Sequence, residues 1–84
     1  MEREKKNILS VAIMEMAKRK KGKYFTPTDV AQWLYPYDWK FFVDDVIAMM
    51  MELYREDKIE VTQKDHSVDK NFFPPGSVKI KLKH

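Results

Sequence analysis

Eighty-four residues without a cysteine leave room for one small hydrophobic core and exclude both a disulfide framework and a thiolate metal site. Hydrophobic residues make up 44% and charged residues 35%, a globular balance and not a disordered one. The net charge of +3 conceals a pattern: residues 1–25 carry +5, residues 26–57 carry −5 and residues 58–84 carry +3. The charged start MEREKKN, and an apolar run from Ile8 to Ala17 broken by Ser10 and Glu15, lack the form of a secretory leader or membrane span. The expected compartment is therefore the cytoplasm.

In chain order, Glu2 to Lys20 reads as a first helix. Ile8, Leu9, Ala12, Ile13, Met16 and Ala17 form its buried stripe, widened by Val11 and Met14. It ends in Lys18-Arg19-Lys20-Lys21 before Gly22, cations at the negative end of the helix dipole and a glycine for the left-handed stop. Tyr24-Phe25 forms a short extended link. Thr26-Pro27-Thr28-Asp29 then carries a capping box with proline at the first helical position, which opens a second helix over Pro27 to Leu34. Val30, Ala31 and Leu34 face inward, Trp33 sits on the shoulder, and Pro36 breaks the helix at Tyr35.

Asp38 is expected to cap a long third helix, Asp38 to Glu56, around which the rest of the chain is organised. Trp39, Phe42, Val43, Val46, Ile47, Met50, Leu53 and Tyr54 recur at helical spacing and define its greasy face. Lys58 to Gln63 alternates as a half-buried strand, and Val78 to Lys83 alternates again, with Val78, Ile80 and Leu82 inward and three lysines outward. About fourteen residues (64–77) join the strands, with Pro74-Pro75-Gly76 as the turn signal. The resulting expectation is an α+β fold over residues 1–84: a winged helix, in which a three-helix helix-turn-helix core is followed by a two-stranded β-hairpin wing.

Particular runs carry a family likeness. TPTDVA (Thr26 to Ala31), Asp38-Trp39-Lys40, IEVTQK (Ile59 to Lys64), Val68-Asp69, and Gly76 leading into Val78-Lys79-Ile80-Lys81-Leu82 resemble the small bacterial domain-of-unknown-function family 3253, described as winged-helix-like. The likeness spans roughly residues 8–83. Departures stand at Gln32 and Ile47, where the family pattern has arginine, and at Asp57 and Asp65, where it has glycine. The resemblance implies the fold; it supplies no activity.

Two binding readings follow from the residues. In the first the partner is nucleic acid. Docking of the third helix in a major groove is opposed by Asp44, Asp45 and Glu52, so phosphate contacts fall instead to basic ends and wing. The residues concerned are Lys18, Arg19, Lys20, Lys21 and Lys23 after the first helix, with Lys40 at the start of the third. Lys64, His66 and Lys70 lie in the wing, and Lys79 and Lys81 on the last strand. The plainer alternatives are a solvated helix end and a charged strand edge that discourages aggregation. In the second reading the third helix is a protein-interaction or homodimerisation surface, built from Phe41, Asp44, Asp45, Ala48, Met49 and Glu52, with Met51 beside it. Its alternative is that Met49 and Met51 flank the core. Phe72-Phe73 either folds back onto the core or presents an exposed tip.

Enzyme chemistry finds little footing. Gly22 and Gly76 are the only glycines, too few for a phosphate-cradling loop, and His66 and His84 lie far apart in sequence. Asp65, His66 and Asp69 fall short of the closed ligand set a structural metal needs, and no serine has an evident His/Asp arrangement. The expectation is a non-catalytic module with no metal, cofactor or membrane partner.

Overall fold

A computed structural model describes residues 2–71, 74 and 76–83, with side chains from residue 8 onward. The expectations for Phe72, Phe73, Pro75 and His84 lie outside the described residues. The elements run α1 (Glu2–Lys20), α2 (Pro27–Leu34), a 3-10 turn (Trp39–Phe41), α3 (Val43–Arg55), β1 (Ile59–Gln63), β2 (His66–Ser67) and β3 (Lys79–Leu82). This is an α+β arrangement of three helices on a three-stranded antiparallel sheet, in the order β2-β1-β3.

On α1 the buried stripe is narrower than the spacing suggests. Leu9, Ala12, Ile13 and Ala17 are buried, but Ile8 is 49% and Val11 61% exposed. At 3.6 residues per turn Val11 lies about 160° around the helix from Ile13, beyond the reach of any neighbouring element. Past Lys20 the chain turns through two left-handed residues, Lys21 (φ 50°) and Gly22 (φ 87°), and the Lys23 N–H donates to the Lys20 carbonyl at 3.0 Å. Phe25 then pairs with Ile80 by reciprocal backbone hydrogen bonds of 2.9 and 2.6 Å. This extended link is a one-residue addition to the free side of β3.

The capping box of α2 is formed. The Asp29 N–H donates to Thr26 Oγ1 at 3.1 Å, and the Thr26 N–H donates to Asp29 Oδ2 at 3.0 Å. Such a cap contributes about 1 kcal/mol. The next expectation needs correcting. Asp38 makes no side-chain cap, because a 3-10 turn intervenes and α3 begins at Val43. Aromatic packing accounts for the break: Phe42 stacks on Tyr35 with ring centroids 3.9 Å apart, and this holds it at the junction with ψ near −2°.

Val46, Met50 and Leu53 form the centre of α3's buried face, and Met49 and Met51 are buried too, at 7% and 0% exposure. Met49 is therefore a core residue and no part of an outward interface. The physical reason is enclosure: α3 packs against α1, α2 and β1, so more than one stripe of it is covered. Each large side chain so buried contributes roughly 1.5–3 kcal/mol. The helix ends in a Schellman turn, with the Lys58 N–H on the Leu53 carbonyl and the Asp57 N–H on the Tyr54 carbonyl, both at 3.0 Å.

The β-region departs from a two-stranded hairpin. β1 turns directly into β2 through Lys64-Asp65, both left-handed at φ 53° and 67°, and β3 arrives on the other side of β1. The third strand escapes the sequence pattern because β2 is two residues long and its turn lacks the Asn-Gly signal such turns favour. Asp57, at φ 61°, and Asp65 both hold a left-handed conformation that glycine would adopt most easily. Ile59, Val61, Val78 and Ile80 close the core from the sheet side.

Candidate nucleic-acid interface

The register of the sheet decides where the charges go. Ile59 pairs with Leu82, Glu60 with Lys81, Val61 with Ile80 and Thr62 with Lys79. With Ile80 inward, alternation sends Lys79 and Lys81 to the outer face. The same rule acts on the link beside β3. Phe25 is buried against the core, so Tyr24 turns outward, where it is 48% exposed. The three outward side chains meet: Lys79 Nζ lies 5.8 Å and Lys81 Nζ 5.5 Å from the centre of the Tyr24 ring. These are cation–π separations near the outer limit of that interaction. Neither ammonium is ion-paired with a described carboxylate.

Lys23 immediately precedes Tyr24, and Lys20 and Lys21 lie just before it; all three are exposed. Lys18 and Arg19 are exposed on the last turn of α1, where the Arg19 guanidinium sits 5.2 Å over the Trp33 ring. That pair borders an open cleft of about 380 Å³ between α1 and α2, floored by Met16 and Trp33. The remaining basic candidates are distributed elsewhere. Lys40 lies 5.7 Å from the Trp39 ring on the 3-10 turn, and Lys64 and His66 are exposed at the β1–β2 turn.

Lys70 is engaged differently. Its ammonium binds Asp57 Oδ1 at 2.6 Å, 5.2 Å from the Tyr54 ring, and Lys83 reaches the same oxygen at 3.2 Å. Hydrogen bonds from these two lysines hold the Asp57 carboxyl below its ordinary pKa. Around them Tyr54 Oη donates to the Val68 carbonyl at 2.5 Å, and Arg55 Nε donates to the Lys70 carbonyl at 2.9 Å. This corner fastens the segment after β2 onto the end of α3, so Lys70 acts as a tether.

On α3, Asp44 and Ala48 are exposed while Asp45 and Glu52 are half-buried, and both Asp44 and Asp45 sit in the first turn. Phe41, 81% exposed, belongs to the 3-10 turn and not to the helix. Among the described residues no group of three His, Asp or Glu gathers as a cation site, and no helix is long and apolar enough to cross a membrane.

Residue types alone do not reveal Tyr24 as part of this surface. The one signal for it is the Tyr-Phe alternation ahead of a capping box, and its proximity to the lysines depends on the Phe25–Ile80 pairing.

Three helices on a small antiparallel sheet, with a lysine-framed tyrosine on its outer face, describe a small α+β domain with a basic surface. The chain belongs to the family described as protein of unknown function (DUF3253), whose model matches residues 5–83. Comparison with curated proteins returned no match.

Proposed function

We propose that this chain is a winged-helix module that binds nucleic acid through a basic surface made by the end of α1, the Tyr24 link and β3. In this reading α2, the connection 35–42 and α3 form the helix-turn-helix, and β1, β2 and the return to β3 form the wing. The module is non-catalytic and needs no cofactor. The observation that carries the reading is the gathering of Lys79 and Lys81 on Tyr24, without a described carboxylate partner, directly after the exposed Lys20, Lys21 and Lys23. Major-groove docking of α3 is disfavoured, because a recognition helix offers its N-terminal residues to the bases and here these are Asp44 and Asp45. Two carboxylates against a polyanion oppose the counterion release that drives such binding.

The test is a titration of labelled DNA against salt. With roughly four phosphate contacts, log K should fall against log salt with a slope of about −3 to −4. Lys79→Glu with Lys81→Glu should lower affinity at least about tenfold and flatten that slope. Absence of binding to any DNA at low salt would reject the reading.

A second reading rests on Phe41, which is 81% exposed and, with Tyr37 at 95% four residues earlier, gives the connection between α2 and α3 exposed aromatic surface suited to a protein partner or a second copy of the chain. It expects a solution mass above that of one chain, reduced by Phe41→Asp. A monomer at all concentrations, with no effect of Phe41→Asp, would remove self-association.

A further inference from the structure

We infer that the outer face of the sheet is a base-stacking platform, so that the preferred ligand is single-stranded nucleic acid and not duplex; this rests on the nucleic-acid reading above and deepens it. An aromatic ring on an open sheet face, flanked by cations, is the arrangement by which unpaired bases are held: the base stacks on the ring while its neighbouring phosphates meet the ammonium groups. Here the ring is Tyr24 and the cations are Lys79 and Lys81. The two lysines alternate on one strand, about 6.6 Å apart along it, and both approach the ring from the β3 side.

Three features make the site specific to unpaired bases. First, β3 flanks Tyr24 on one side only, because the Phe25 link is the last member of the sheet and nothing described pairs beyond it. The ring is half exposed. Second, its backbone is fixed. The Phe25–Ile80 hydrogen bonds and the Thr26–Asp29 capping box anchor the chain just after it, and the Lys23 N–H bond to the Lys20 carbonyl anchors it just before, so stacking costs little ordering. Third, a duplex keeps its bases paired and stacked inside the helix, out of reach of a flat sheet face, while α3 brings its carboxylates to any groove it enters. Phosphate contacts alone would favour the more densely charged duplex; the ring is what reverses that preference.

The experiment compares three probes of equal length on the intact chain at low salt: oligothymidylate, an abasic strand with the same phosphates, and a duplex. Oligothymidylate should bind roughly five- to a hundredfold more tightly than the abasic strand, the range expected for stacking one base, and more tightly than the duplex; a duplex that bound more tightly would overturn the preference. Tyr24→Ala should erase that difference, and Tyr24→Phe should keep it. A strand carrying 2-aminopurine should lose fluorescence on binding the unsubstituted chain, a readout that needs no variant. Equal binding of thymidylate and abasic strands, with no quenching, would overturn the platform and leave the phosphate-binding reading standing. Failure of all three probes to bind would overturn both.

Discussion

Lys79, Lys81 and Lys83 look equivalent in sequence, yet the fold sends them to two regions with opposite characters. At the end of α3, Lys83 joins Lys70 on Asp57, whose carboxylate offsets part of their charge in a cluster that ties the post-β2 segment down. On the outer sheet face, Lys79 and Lys81 rest against Tyr24, a partner that attracts a cation without neutralising it. One region uses its lysines to hold the chain together; in the other the lysines make no ion pair with a described carboxylate, although Glu60 stands across the strand from Lys81. A basic stripe therefore cannot be read as a binding site until each ammonium's partner is known.

The sharpest way to break this contrast is to alter each region's lysines and measure binding. Lys79→Glu with Lys81→Glu should cost at least about tenfold in DNA affinity, whereas Lys83→Ala should stay within about twofold. Equal losses from both would dissolve the distinction. Next in size is Tyr54→Phe, which removes the hydroxyl from the Val68 carbonyl and should cost about 1 kcal/mol in urea unfolding. Amide exchange at residues 68–71 should quicken in that variant while Phe25 and Ile80 stay protected.

The ion cluster predicts a smaller, pH-dependent effect. Because the folded Asp57 has its pKa lowered by Lys70 and Lys83, its contribution to stability is present above the ordinary carboxyl value of 3.8 and is lost as pH falls through the folded value. Asp57→Asn should thus weaken the fold slightly at neutral pH and flatten this part of the acid limb. An acid limb identical to that of the unsubstituted chain would show the cluster to be energetically silent, as many exposed pairs are. The smallest effect is a gain: Lys64→Asn with Asp65→Gly suits the left-handed turn and should stabilise the β1–β2 pairing by about 0.5 kcal/mol, leaving DNA affinity at the Tyr24 face unchanged.

Much of the scaffold was legible because it is written in local patterns. The Thr26–Asp29 box, the end of α1 at Gly22, and the alternation of Ile59–Val61 and Ile80–Leu82 each depend on residues a few places apart. What escaped depends on neighbours distant in sequence. The burial of Met49 and Met51, left in sequence as one of two alternatives, was decided by the three elements around α3, and Ile8 and Val11 are exposed because nothing reaches that side of α1. The 3-10 break at Trp39–Phe41 has no proline or glycine within it and follows from the Tyr35–Phe42 stack. For the candidate site the basic residues were legible one by one. Their partition between Asp57 and Tyr24 was not, since it required strand register and the pairing of Phe25 with Ile80.

The most direct measurement is a two-dimensional amide NMR titration of the chain with a short oligothymidylate at low salt. The expected result is that the largest shifts fall on Tyr24, Lys79 and Lys81 and on the Lys20–Lys23 turn, with Asp44 and Asp45 unmoved. Shifts centred on the first turn of α3, with β3 silent, would contradict the account.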